Sequence, residues 1–327
     1  METTSLAESA GSAVGRVLRW TLFILVLAAV GWALVRQFRA IDFSELHFSL
    51  MPVCVAIVML VGVSVVQMIS YRSLLAAYVD PPPWRAMAAV AWVPPLGKYV
   101  PGKVAALLGA IYMLRRFSVP AAVAVSVVLV LDGVAVLAGL ICGAPLLLWE
   151  PVAQVLPGGW WYCGGLVLVG VLCLHPRVFD GLANSLLRRL RKPPLPKALG
   201  LKDYAVPLIC AFSQWILAGL ALWWMTRSVA DVAVDRMGVF VSIAALAMTA
   251  SYLALFAPGG LGVREGIYLA TLSAVPGVGP KAAVVAALMR LAQTLVELGL
   301  AAAGALLLRG SMRLRQPEPT VDSPDPV

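Results

Sequence analysis

Charge is what this sequence has least of. Asp, Glu, Lys and Arg make up 13% of its 327 residues, where a soluble domain carries roughly 25%. A water-facing fold needs polar surface, and there is too little here to cover a composition that is 61% apolar. Long polar stretches are missing as well. The longest polar connections, 71–85 and 176–202, are too short to bury a core of their own. Histidine is confined to His47 and His175, near span ends and away from carboxylate or cysteine clusters, which argues against a zinc site. The five cysteines (Cys54, Cys142, Cys163, Cys173 and Cys210) lie in apolar runs without CxxC spacing. There a free thiol packs as a small hydrophobe. The sequence thus gives no reason to expect a redox role, a metal or another cofactor, and no nucleotide-binding loop is present.

What is abundant is apolar length. A bilayer core takes about 20 apolar residues per helix. Hydropathy predicts spans near 20–36, 50–70, 118–148, 159–175, 203–226, 237–257 and 281–308, with shorter apolar pieces at 86–112 and 265–276. The expected fold is an all-α polytopic membrane protein of about eight transmembrane helices, some of them broken or re-entrant. The first span, preceded by Arg16 and Arg19 and lacking a small-x-small cleavage site before Arg36, reads as a signal anchor.

The net charge of +9 follows the membrane rather than a nucleic-acid face. Segments 71–117 and 176–202 carry six and seven basic residues, and the two ends add five: Arg16, Arg19, Arg309, Arg313 and Arg315. The opposite loops hold five: Arg36, Arg39, Arg227, Arg236 and Lys281. The positive-inside rule then puts both termini in the cytoplasm. An even number of crossings follows, so 262–276 must carry the chain back across. Its 15 residues reach only about 22 Å, so it must start below the surface, in a protein-lined hollow. Within 182–192, "LANSLLRRLRK", Leu182, Leu186 and Leu190 share one helical face among arginines. That pattern suits either a positive-inside anchor or a helix lying on anionic lipid.

One stretch is out of place in lipid: "FAPGGLGVREG", Phe256 to Gly266. Pro258 cannot continue a helix. Gly259, Gly260 and Gly262 open backbone angles closed to other residues. The helix is expected to break here and restart near Val263. Non-helical backbone at membrane depth survives only where protein buries it or water lines it. A restarted helix presents amide donors and a positive dipole end, suited to phosphate or carboxylate. Arg264 adds a forked cation, and Glu265 can hold it or carry a proton.

Other charges share this depth. In "ALMRLAQTLVELGLA", Arg290, Gln293, Thr294 and Glu297 recur at i, i+3, i+4 and i+7, one stripe of a helix. Asp132 sits inside the run 118–148. Each lone charge at a helix centre costs about 2.5–3.5 kcal/mol. Asp132, Arg264, Glu265, Arg290 and Glu297 must therefore pair as structural ion bridges or face a wet, functional pocket. The first half has an interruption of its own, "AWVPPLGKYVPGKVAALLGAIYML", Ala91 to Leu114. Pro94, Pro95 and Pro101 break it, Gly97 and Gly102 free the backbone, and Lys98 and Lys103 sit where the chain turns. The expectation is a re-entrant hairpin. "PPLGK" against "GGLGV" and "IYML" against "IYLA" form an echo for which an inverted repeat is one reading.

"LGKYVPGKV" and "PGGLGVREG", with "LMRL" on the following helix, resemble the lysylphosphatidylglycerol synthase transmembrane-region family over roughly 20–308. This is the flippase-like membrane domain also found in bacterial multiple peptide resistance factors. The resemblance implies a bacterial or archaeal inner-membrane protein with re-entrant elements. Its best-understood members move lysylphosphatidylglycerol between leaflets; others accompany glycolipid, hopanoid or polyprenyl-linked pathways. The family's motif residues carry over as Pro101, Gly102 and Lys103; then Pro258, Gly259, Gly260, Gly262, Arg264 and Glu265; then Arg290. The full synthase carries a cytosolic aminoacyl-transferase domain after its membrane part. Here Val327 follows soon after the last span, so no aminoacylation is expected of this chain.

The resulting expectation is a cytoplasmic segment 1–19, a flippase-like membrane domain 20–308 and a proline-rich, acidic, disordered tail 309–327. The function expected is translocation of an anionic, phosphate-bearing or isoprenoid-linked lipid, with no catalytic residue and no nucleic-acid partner. Lys98, Asp132, Gln293 and Glu297 join the motif residues as the candidate substrate site. Two alternatives stand beside it. One is an accessory subunit holding a biosynthetic enzyme at the membrane, through small-residue faces such as Ala283 and Ala287. The other is an intramembrane head-group enzyme using Asp132, Glu265 and Glu297.

Overall fold

A computed structural model describes residues 48–99, 104–155, 158–189, 194, 199–254 and 262–313, and these contain helices and no strand. In chain order the helices are α1 (Leu50–Ala76), α2 (Trp84–Trp92), α3 (Val104–Arg116), α4 (Ala121–Gly143), α5 (Glu150–Val155), α6 (Gly159–Leu174), α7 (Pro176–Arg189), α8 (Leu201–Arg227), α9 (Met237–Leu253), α10 (Val263–Leu272) and α11 (Ala282–Arg313). A 3₁₀ segment, Pro94–Tyr99, lies between α2 and α3, and another, Ala144–Leu148, extends α4. Five segments are long and apolar enough to cross a membrane: Leu50–Ala76, Ala121–Leu148, Leu201–Arg227, Val234–Leu253 and Gly279–Leu308. Gly159–Cys173 is a shorter apolar helix. The protein is an all-α polytopic membrane protein, as its composition requires. The predicted span 20–36 lies outside the described residues. The last helix runs to Arg313, beyond the boundary expected at 308.

The ends of the helices define two faces. On the first, the Ser49 amide donates to the Ser228 carbonyl at 3.0 Å, and Gly277 abuts the Asp231 carbonyl. On the second, Arg72 donates to the Pro82 carbonyl. There Asp180 also accepts from the Tyr204 hydroxyl at 2.8 Å and the Leu199 amide at 3.1 Å. α9 leaves the first face, and α10 returns the chain to it beside Asp231. α10 falls within the segment 262–276 expected to carry the chain back. The other interruption behaves in the mirror sense. α2 leaves the second face, and α3 comes back to it, where Leu308 of α11 and Arg116 line one hollow. Neither arm is long enough to cross: 9 and 13 residues rise about 14 and 20 Å. The two arms form a hairpin, with Gly109 of α3 set against Pro94. Two interruptions entered from opposite faces are the arrangement an inverted-topology pair would have.

Two apolar cores stack between these faces. The first joins the early half of α1 with the late half of α8, α9, α10 and the early half of α11 around Trp223, Phe240 and Tyr268. The second joins the late half of α1 with α2, α3, α4 and the early half of α8 around Tyr71, Leu114, Tyr204 and Trp215. Glycines let α9 into this stack. A Cβ on Gly219 of α8 would stand 2.3 Å from the Val241 Cα. One on Gly143 of α4 would stand 3.2 Å from the Leu246 amide nitrogen. Without lipid-excluding hydrophobic drive, such backbone approach is what holds membrane helices together. Ala283 is buried in the chain's own first core.

α3 ends in a tight cap. The Val119 amide reaches the Leu114 carbonyl and the Ser118 amide the Arg115 carbonyl. Ser118 takes the left-handed position, φ 64°, usually given to glycine. α7 follows α6 through an extended His175 and is pinned to the start of α8 by Asp180. Its Val178 and Leu182 are exposed; of the predicted leucine face, the side chains of Leu186 and Leu190 lie outside the described ones.

Candidate functional site

The second interruption supplies the centre of the site. α10 restarts at Val263 behind Gly262, whose φ of 87° with ψ of −42° is closed to residues with a side chain. The Gly262 amide would be an orphan donor at a helix start. Glu265 satisfies it through Oε2 at 2.8 Å. The other oxygen of the same carboxylate, Oε1, takes two guanidiniums. Arg264 Nη2 stands 3.4 Å from it and Arg290 Nη1, on α11, 3.3 Å. Arg264 and Glu265 are each only 4% exposed. Arg264 also directs Nη1 to the Met248 sulfur on α9 at 3.3 Å. One buried carboxylate therefore fixes a helix cap, a neighbouring cation and a cation from the last span.

The α11 stripe turns inward as the heptad-like spacing predicts. Arg290, Gln293, Thr294 and Glu297 are buried or half-buried, while Leu291, Leu295 and Leu298 are exposed on the opposite side. The Thr294 hydroxyl donates to the Arg290 carbonyl at 2.9 Å, a bond that keeps it on its own helix. Glu297 pairs with Lys98 from the 3₁₀ segment of the hairpin, a 199-residue separation in the chain. Lys98 thus leaves the surface loop where its charge was counted and becomes an interior ligand. It lies within electrostatic range of Arg264 and Arg290, so the two interruptions meet across α11.

Asp132 completes the group from α4. It is exposed and, among the described residues, makes no ion pair. It lies within electrostatic range of Tyr71 on α1 and Tyr252 on α9. Tyr252, 51% exposed, is also in range of Glu297 and Arg264. An exposed, unpaired carboxylate in a spanning helix faces a watery hollow more cheaply than lipid. The structure therefore brings Lys98, Asp132, Arg264, Glu265, Arg290, Gln293 and Glu297 into one electrostatic neighbourhood. Pro101, Gly102, Lys103, Pro258, Gly259 and Gly260 lie outside the described residues.

The charges in this neighbourhood are three and three, but unevenly placed. Lys98 with Glu297 is neutral. Arg264 and Arg290 share the Glu265 carboxylate, and Asp132 makes no ion pair among the described residues. Three buried polar atoms nearby have no partner among the described residues: the Tyr268 hydroxyl on α10, the Gln293 Oε1 on α11 and the Thr249 hydroxyl on α9. Sequence reasoning did not select Tyr71, Met248, Tyr252 or Tyr268. Tyr268 alone left a local signal, since it follows Glu265 by three residues and so shares its helical face. Forked cations beside a helix start are of the chemistry that holds an oxyanion such as phosphate.

A sequence profile of the family described as the lysylphosphatidylglycerol synthase TM region matches residues 12–302, most of the chain. No curated protein matches it.

Proposed function

Since the chain belongs to the lysylphosphatidylglycerol synthase TM region family, we propose that it is a lipid translocase for an anionic, phosphate-bearing or polyprenyl-linked lipid. The observation that carries this reading is the sharing of Glu265 by Arg264 and Arg290 at the restarted end of α10. A guanidinium has five donors in a rigid fork, more than one carboxylate oxygen uses, and the fork matches phosphate. The head group enters between the hairpin and α10 and is held by the two arginines, with Lys98 next to them. Glu265 gives up part of its hold on the arginines as the phosphate arrives and takes it back as the lipid leaves. The acyl or isoprenoid chains remain in the bilayer.

Asp132 is the group we assign to ion or proton coupling. It is the acid in this neighbourhood without an ion pair among the described residues, so a proton or cation taken up there changes the field felt by the arginines. The positive-inside rule supports a cytoplasmic position for the face bearing Arg72, Arg85, Arg115 and Arg116, and the proposed location is a bacterial inner membrane. The chain acts here by binding and moving lipid, with no covalent step.

The test is a flip assay. Purified protein is reconstituted into vesicles carrying a fluorescent anionic phospholipid, and the fraction protected from an impermeant quencher is followed in time. Wild type is expected to flip the probe faster than empty vesicles. Arg264→Ala and Arg290→Ala are expected to reduce the rate at least about tenfold, the loss of one charge-assisted contact of about 1.5–3 kcal/mol. Wild-type rates equal to those of empty vesicles for every anionic or isoprenoid phosphate tried would sink the reading.

A further inference from the structure

Against the hairpin, lined by none of the residues of the polar group, is a separate hollow of about 320 Å³. Its walls are Val93, Pro94, Gly109, Met113 and Phe117 of the hairpin with Leu308 of α11. Tyr112 and Arg116 complete the lining at the end of α3 nearest the second face. The floor is the contact between the hairpin's two arms, where a Cβ on Gly109 would stand 3.4 Å from the Pro94 Cβ. Apolar walls exclude a head group. The exposed Leu108 and Tyr112 on the same helix continue the hollow into the lipid-facing surface. Arg116 and, next to it, Arg115 supply positive charge where a phospholipid head would lie.

We propose that this hollow is a second lipid site, which takes one acyl chain of an anionic membrane phospholipid while Arg116 holds its phosphate. The apolar lining suits the chain, and the basic rim suits the head. The site goes beyond the translocation reading and holds whether or not the protein moves lipid, because it shares no residue with the Arg264–Glu265–Arg290 group. Its occupant touches Val93 and Pro94, where α2 passes into the 3₁₀ segment that carries Lys98. An acyl chain there braces the hairpin and favours the Lys98–Glu297 pair. The lipid is therefore a resident modulator rather than cargo.

The experiment uses the full chain in phosphatidylcholine–phosphatidylserine vesicles. The probe is a phosphatidylserine bearing a photoreactive diazirine on one acyl chain, with a phosphatidylcholine of the same chains as comparison. After illumination, the modified residues are mapped by peptide mass spectrometry. Labelling is expected to concentrate on Met113 and Phe117 over the lipid-facing Leu166 and Leu168 of α6. The anionic probe should exceed the zwitterionic one about fivefold, the contribution of one basic residue at an anionic surface. Leu308→Trp or, from the other wall, Met113→Trp fills the hollow and should abolish the concentrated labelling, and Arg116→Gln should equalise the two probes. Labelling spread evenly over the lipid-facing helices, or undiminished in a folded filled variant, would overturn the proposal. So would equal labelling of the wild type by both probes.

Discussion

Lys98 and Glu297 stand 199 residues apart in the chain and are paired side chain to side chain. This pair joins the tip of the hairpin to the last span. Their side chains are 29% and 22% exposed, so the pair belongs between a screened surface bridge and a buried one. A double-mutant cycle of Lys98→Met and Glu297→Gln, read by thermal unfolding in detergent, is expected to give a coupling of about 1 kcal/mol. Strictly additive losses would show that the pair does not hold the hairpin.

Glu265 is the more demanding position. Glu265→Gln removes the charge that two guanidiniums share and leaves a buried cation unbalanced. Breaking a buried pair in this way costs about 3–5 kcal/mol. The variant should unfold well below Glu297→Gln in the same detergent. A melting temperature equal to that of Glu297→Gln would mean that water, not Glu265, balances Arg264 and Arg290.

Tyr268 gives a prediction of opposite sign. Its buried hydroxyl has no partner among the described residues, and an unmade hydrogen bond costs about 1–3 kcal/mol. Tyr268→Phe should therefore raise the melting temperature of the unliganded protein. If the hydroxyl serves the head group, the same variant should flip the probe more slowly. A lowered melting temperature would show that the hydroxyl has a structural partner.

Two glycines separate packing from flexibility. Gly219→Ala would press a methyl against the Val241 backbone, and overpacking of this kind costs about 1–3 kcal/mol. Gly266→Ala meets no atom within 4 Å and sits inside α10. It should stabilise by about 0.5–1 kcal/mol, the helix preference of Ala over Gly. Comparing the two variants by thermal unfolding checks the α8–α9 approach. Equal effects of both would contradict it.

The parts of this fold written in local pattern were legible in the sequence. Apolar length gave the spans. Pro258 and its glycines marked the break, with Val263 as the restart. The i, i+3, i+4, i+7 spacing placed Arg290, Gln293, Thr294 and Glu297 on one inward face. The predicted span 237–257 takes in α9, which ends at Leu253, while 255–257 lie outside the described residues. What was not legible was which charges meet. Lys98 was counted with the loop charges because nothing within a few residues of it points to Glu297. Tyr71 and Tyr252 were passed over because a tyrosine in an apolar run is ordinary, and only the packing of α1, α4 and α9 brings them near Asp132. Such contacts are set by tertiary geometry and leave no period in the chain.

The opposed faces of α11 also limit how its sequence can change in length. Each residue turns a helix by about 100°. A single inserted or deleted residue between Arg290 and Glu297 would leave Arg290 at Glu265 but rotate Glu297 away from Lys98, putting Val296 in its place after an insertion and Leu298 after a deletion. Four inserted residues would turn the helix by about 40° beyond a full circle and nearly restore the facing, at the cost of one turn's shift along the axis. Substitutions in this helix are thus judged residue by residue, whereas indels there are judged by the angle they leave behind.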